Sequence, residues 1–328
     1  NCNLRCTVCV HANEGDNDLL KEQQFNSKQV MDLINYENII KECKGKTSAV
    51  SLYYLGDPIV NPNLSKYVKI ARDAGMNVHI NTNFSVPMKE EKIKDLALSG
   101  ITHFTACMDA YNQEIYSKTR VGGNIEIVKN NLKSLCKIKK ERGLDKLNIE
   151  VQFVKFKHNL NERKLVYDFC KSIGINNVSE INGSLTNYTD YNFNMKMIEE
   201  VMDNSLLPKC FWPFFSMVVK FSGDALPCCN SRVGEVYTLS SPKYLGNVFD
   251  NSIKKVWNGY EYRTMRRAIN FPKKHEQYLK EFQNFCAGCE KVCNVKYLMP
   301  IDKIMESNYD DLFEKTPKGA VRKKINLQ

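Results

Sequence analysis

Cys2, Cys6 and Cys9, in the run Cys-Asn-Leu-Arg-Cys-Thr-Val-Cys, place three thiols on one short loop at the start of this chain. Nothing else in the sequence restricts the fold as much, because a C-x3-C-x2-C loop has to curl so that its thiolates meet at one inorganic centre. Two centres suit that spacing. One is an iron–sulfur cube held at three corners, which leaves its fourth iron open to a small molecule; the other is a structural zinc knot. The chain has 13 cysteines. Cys210, Cys228, Cys229, Cys286, Cys289 and Cys293 gather near the other end, while Cys43, Cys107, Cys136 and Cys170 are scattered between. Without a secretory signal pattern, such a set argues for metal ligation over a disulfide framework, and scattered cysteines read as small core hydrophobes.

The 328 residues, 43% of them hydrophobic, suffice for one large domain and a smaller appendage. No apolar run reaches the length of a membrane span, so the expectation is a cytoplasmic protein with no membrane partner. The formal charge of +10 comes from 47 basic against 37 acidic residues. Part of it lies in short runs, Lys137 to Lys140 and Arg322 to Lys324, which read as solvated faces. No nucleic-acid module accompanies them, which disfavours nucleic acid as a partner.

Strand-like runs alternate with helix-like periodic segments through the first 180 or so residues, the pattern of parallel strands joined by crossover helices. Strands are expected at 49–55, 77–82, 103–108, 148–156 and 177–181, and helices over 27–44, 62–75, 123–143 and 159–174. Polar motifs stand at successive strand ends: Leu55-Gly56-Asp57-Pro58, Asn81-Thr82-Asn83-Phe84, and Cys107-Met108-Asp109-Ala110 followed by Tyr116 and Arg120. Gln152 falls in the middle of the fifth expected strand of the full barrel.

Together these features resemble the radical S-adenosylmethionine (radical SAM) family over residues 1 to about 182. The resemblance implies a partial (β/α)6 barrel whose first strand lies upstream of Asn1. It implies a [4Fe–4S] cluster on Cys2, Cys6 and Cys9, with S-adenosylmethionine on the open iron. Val8 stands where the family usually has an aromatic residue. Gly56, Asp57 and Pro58 match the turn that receives the methionine amino group; Asn81, Asn83, Asp109, Arg120 and Gln152 are further candidates for cofactor contact. Phe84 occupies a family glycine position, and Cys107 a family serine position. A thiol at Cys107 could return a hydrogen atom to a substrate radical; a serine-like polar contact or plain packing is the alternative.

A linker is expected over 183–207, with Met195, Ile198 and Met202 at helical spacing, and a new module over 208–299. Cys210 precedes a hairpin, Met217 to Phe221 and Ala225 to Cys229 around Gly223, and one helix is expected over 252–268 with Trp257, Tyr260 and Met265 packed. Cys286-x2-Cys289-x3-Cys293 follows. This order resembles the small α+β SPASM/twitch iron–sulfur module. The resemblance implies one auxiliary [4Fe–4S] cluster on Cys210, Cys228, Cys286 and Cys289, with Cys229 and Cys293 as possible replacements; zinc on four cysteines is the competing reading. The basic tail, 300–328, carries no motif and is expected as a surface helix or frayed end.

The resemblance as a whole implies an oxidoreductase that abstracts hydrogen from a C–H bond of a small polar substrate, such as a sugar or aminocyclitol, drawing electrons from a flavodoxin or ferredoxin. A peptide maturase that crosslinks or epimerises residues is the alternative within the class. A zinc-stabilised nucleic-acid-binding protein is the alternative outside it.

Overall fold

The computed structural model describes residues 2–6, 9, 30–183, 210–229, 244–271 and 273–275, together with the backbone of 313–316 and 319–322. Cys286, Cys289, Cys293 and nearly all of the expected linker lie outside the described residues.

Five strands form one parallel sheet in the order β1-β2-β3-β4-β5: Ala49–Ser51, Asn77–Thr82, His103–Cys107, Asn148–Lys155 and Asn177–Asn182. The chain is α/β, as expected. Helices lie in the crossovers: α2 at Leu64–Asp73, α3 at Glu90–Leu98, α4 at Gln113–Thr119, α5 at Ile125–Glu141 and α6 at Arg163–Ser172. β1 is shorter than the sequence implies. Leu52 still donates to the His79 carbonyl, 2.9 Å, but the chain then turns through Gly56 at φ 98°, a left-handed angle that favours glycine. The expectation also omitted α3, whose buried side is only Ile93, Leu96 and Ala97.

Strand alternation gives the sheet two unlike faces. Val78, Ile80, Phe104, Ala106, Val151 and Phe153 are buried on one. They meet the apolar stripes of the crossover helices, such as Val68 and Ala71 of α2 and Val128, Leu132 and Leu135 of α5. Register places His79 beside His103, Asn81 beside Thr105, Cys107 beside Gln152 and Gln152 beside Ser179 on the opposite, inner face. That face is polar throughout its middle.

The second compact unit draws on two stretches of sequence, with α1 at Leu33–Cys43 joining residues beyond 210. Tyr36 and Ile40 of α1 are buried, and Glu42 accepts from Ile253 N at 2.9 Å. The sequence pattern had placed this helix among the barrel crossovers. A hairpin of β6, Val218–Val219, and β7, Ala225–Leu226, turns at Gly223 with φ 86°. A short α7 at Trp212–Phe215 precedes it. One expected helix over 252–268 is two, α8 at Ile253–Trp257 and α9 at Tyr260–Asn270, because the chain is extended at Gly259. Met265 is fully buried as expected, but Tyr260 is 70% exposed and does not pack. The described part of the tail is an antiparallel pair, β8 at Phe313–Thr316 with β9 at Gly319–Arg322, where a surface helix or frayed end is expected from the sequence. Among the described residues no helix is long and apolar enough to cross a membrane.

Candidate functional site

Acidic side chains lace the strand ends together. Asp57, nearly buried, accepts from Ile59 N and Thr82 Oγ1 through Oδ1, at 3.0 and 2.6 Å, and from Asn83 N through Oδ2 at 2.6 Å. Burial pushes its carboxyl up, against these three donors and the distant Arg120 cation, which favour the charged form. Asp109 repeats the device two strands on, with Oδ1 accepting from Val154 N at 3.0 Å and Oδ2 from Arg120 Nε at 2.6 Å. Asn159 closes the same corner by donating to the Asp109 and Val154 carbonyls, both at 2.8 Å. Burial alone would lower the Arg120 pKa, but Asp109, Cys107 and Cys6 carry it above its already high ordinary value, so the guanidinium stays charged.

The cysteine loop docks on these ends. Arg5 N donates to the Val121 carbonyl at 3.0 Å, Asn3 Nδ2 to the Ser85 carbonyl at 2.9 Å, and Leu4 is 1% exposed. Asn83 Nδ2 donates to Asn3 Oδ1 at 3.0 Å and toward Cys2 Sγ at 3.8 Å. Burial pushes the Cys6 thiol up to about 12, with Arg120 opposing and Cys9 and Cys2 adding to the rise. Burial likewise raises Cys2. A metal centre bound there would displace these protons.

Two further observations test the fit of a cluster and its small-molecule ligand. The Tyr116 hydroxyl and the Thr119 hydroxyl are buried without a hydrogen-bond partner, and Tyr116 lies within electrostatic reach of Arg120, Asp109, Cys6 and Cys107. Buried orphan hydroxyls are uncommon and call for a partner. Among the described residues no three thiols, imidazoles or carboxylates converge closely enough to hold a single metal ion. Cys2 and Cys9 do act electrostatically on Cys6, and three neighbouring thiols with a guanidinium and two unmet hydroxyls suit a wider iron–sulfur cluster with a carboxylate-bearing ligand.

The inner face continues from this corner. Cys107 Sγ donates to Asn81 Oδ1 at 3.1 Å, and Asn81 Nδ2 reaches Gln152 Oε1 at 3.5 Å. Burial pushes the Cys107 thiol up to about 11, although Arg120 opposes it. Sequence reasoning missed the next layer of the same face. His79 contacts Thr105 Oγ1 at 2.9 Å and the Tyr53 hydroxyl at 3.4 Å, and Ser179 donates to Glu150. Burial and the neighbouring His103 hold His79 below its ordinary pKa, against Glu150. Period-two spacing of polar residues inside otherwise apolar strands was the signal available for this layer.

In the second unit Cys210 lies just ahead of α7, and Cys228 and Cys229 follow β7. Cys228 is buried and Cys229 exposed. The Tyr262 hydroxyl donates to the Leu226 carbonyl at 3.1 Å, pinning the strand that leads to Cys228.

Comparison with known proteins agrees with this geometry. The family model described as the radical SAM superfamily matches residues 1–170, and one described as an iron–sulfur cluster-binding domain, SPASM, matches residues 210–290. A tungsten-containing aldehyde ferredoxin oxidoreductase cofactor-modifying protein of Pyrococcus furiosus is 21% identical over 304 residues, covering 81% of this chain and 80% of that one. Among solved structures, SuiB of Streptococcus suis matches with TM-score 0.56 and 15% identity, over 81% of this chain and just 65% of its own. BtrN in complex with AdoMet and 2-DOIA matches with TM-score 0.50 and 16% identity, over 90% of this chain and 89% of that one. With the family model spanning the whole of the cysteine loop and β1 to β4, the chain belongs to the radical SAM superfamily, whose cofactors are [4Fe–4S] clusters and S-adenosylmethionine, and it carries a SPASM iron–sulfur region.

Proposed function

We propose that this protein is a radical SAM oxidoreductase that removes a hydrogen atom from a C–H bond of a small polar substrate, a sugar or aminocyclitol in kind. The polar inner face of the sheet carries this reading. His79, Asn81, Thr105, Glu150, Gln152 and Ser179 offer donors and acceptors where a filled barrel would present branched apolar side chains. Hydroxyl groups on a substrate would meet partners there.

Cys2, Cys6 and Cys9 would hold the first cluster. When bound, that cluster with S-adenosylmethionine supplies a 5'-deoxyadenosyl radical. Arg120, steadied through Nε by Asp109, would offer its terminal nitrogens to the methionine carboxylate. The turn at Gly56, Asp57 and Pro58 would present carbonyls to the methionine amino group, with the Asp57 carboxylate turned inward to hold the strand ends. Asn81 and Gln152 would line the neighbouring chamber. Cys210, Cys228, Cys286 and Cys289 would hold an auxiliary cluster.

A second reading has its own support. Phe211, Trp212, Phe214 and Phe215 are all exposed beside Cys210, an apolar surface suited to a peptide, and SuiB has been solved with its precursor peptide SuiA. The test is anaerobic turnover with deuterated substrates of both classes. Deuterium carried from an aminocyclitol or sugar into 5'-deoxyadenosine supports the first reading; transfer from peptides alone would overturn it in favour of the second.

A further inference from the structure

We propose that Asn83 sets the reduction potential of the first cluster by donating a side-chain N–H hydrogen bond to the sulfur of Cys2. The inference rests on Cys2 being a cluster ligand, as proposed above. Two N–H groups approach that sulfur: the Leu4 backbone at 3.4 Å and Asn83 Nδ2 at 3.8 Å. The first comes with any loop of this shape. The second belongs to this side chain alone.

The rest of the amide is committed in a way that aims it. Its other N–H goes to Asn3 Oδ1 at 3.0 Å, and its oxygen accepts from Ser85 N at 2.8 Å. The backbone on either side is equally constrained. Asn83 N is held by Asp57, and the next residue, Phe84, is the one non-glycine residue with positive φ among the described residues, at 52°. Asn131 donates to the carbonyls of Phe84 and Val86, both at 2.9 Å, which locks that turn from the far side. A residue held at both ends and by its own oxygen points its remaining hydrogen at one place.

Hydrogen bonds to cluster sulfurs favour the reduced, more negative state and so raise the potential. The reaction is the gain of one electron by the oxidised cluster, supplied in the test by a chemical reductant. Replacing the donor therefore makes reduction harder.

The experiment is an EPR-monitored potentiometric titration of the anaerobic holoenzyme. The first cluster is recognised as the signal that S-adenosylmethionine perturbs. Asn83→Ala and the uncharged, nearly isosteric Asn83→Leu should each disfavour reduction by about tenfold or more, a midpoint about 59 mV or further negative for one electron. Asn3→Ala removes one of the amide's anchors but leaves its oxygen held by Ser85 N and its backbone held by Asp57, so the N–H to Cys2 persists and the midpoint should move far less. An unchanged midpoint in both Asn83 variants at full iron content overturns the inference, as does an equal shift in Asn3→Ala. Should both Asn83 variants lose iron, asparagine labelled with 15N at the side-chain amide, incorporated into Asn3→Ala protein, decides the matter. A 15N coupling to the reduced cluster in pulsed EPR supports the contact, and its absence overturns it. Cys2→Ala separates the layers: retention of the complete first cluster in that variant refutes the ligand assignment itself, independently of Asn83.

Discussion

Phe84 combines a costly backbone with a well-placed ring. Its left-handed angle costs roughly 1–2 kcal/mol for a residue with a Cβ. Its fully buried ring packs edge-on to Phe104, with centroids 4.8 Å apart, and loss of such a ring costs ~3–5 kcal/mol. Phe84→Gly relieves the first and forfeits the second, so a net loss of roughly 2–3 kcal/mol is expected in chemical denaturation. A gain in stability would show that the backbone dominates. Cys107 carries a different expectation. Its thiol already donates to Asn81, and burial keeps it protonated to about pH 11. A polar contact is what serine reproduces, so Cys107→Ser should retain product and unchanged deuterium incorporation from deuterium oxide. Loss of product with continued 5'-deoxyadenosine release would assign Cys107 as hydrogen-atom donor instead. The glycine position of Phe84 was legible because the motif preserved its neighbours Thr82 and Asn83. The inward turn of Asp57 was not, since an acidic residue in a turn says nothing about which neighbour's N–H it will accept.

Between strands, the division of labour across the sheet is open to direct test. Phe104→Ala removes a ring from the helix-covered face and should cost ~3–5 kcal/mol. Gln152→Leu on the inner face should change stability by less than about 1 kcal/mol and still lower product formation. Equal losses of stability would mean that the inner face is packed core. Strand positions were readable because Val, Ile and Phe cluster in short runs between turns, and β2, Asn77–Thr82, falls where expected to the residue. Helix α3 escaped notice for a physical reason: three buried residues in nine leave a weak stripe, and Lys89 provides no side-chain cap. The break between α8 and α9 was similarly hidden, because Trp257 and Met265, eight residues apart with Tyr262 between them, would share one side of an unbroken helix. Only the structure shows Arg266 bridging the break, with Nη1 on the Trp257 carbonyl at 2.8 Å and its guanidinium over both aromatic rings.

At the level of the molecule, iron content should divide into two independent parts. Replacing Cys2, Cys6 and Cys9 together by Ala should abolish reductive cleavage of S-adenosylmethionine and leave iron in the SPASM region. Single Ala variants of Cys210, Cys228, Cys286 or Cys289 should lose the auxiliary iron and lower Tm, as removal of a structural metal does. Full iron in all four would pass the ligand role to Cys229 or Cys293. Acid should weaken the fold through His158. Burial, followed by Lys118, lowers its pKa to about 4. The unfolded chain therefore takes up the proton first, and stability present above about pH 6.5 is lost as pH falls toward 4. A His158→Gln variant should show a shallower decline of Tm between pH 6.5 and 5; a parallel decline would exclude this origin.

Helix α1 has a consequence for synthesis on the ribosome. Its carboxylate partner contact, Glu42 with Ile253, joins positions 211 residues apart. At about 5–20 residues per second, α1 emerges roughly 10–40 s before the helix it must meet. During that interval α1 lacks the segment its Glu42 meets in the finished fold, and a nascent chain stalled after β5 leaves the helix open to chaperones. A gene cut after β5 would make that waiting state permanent.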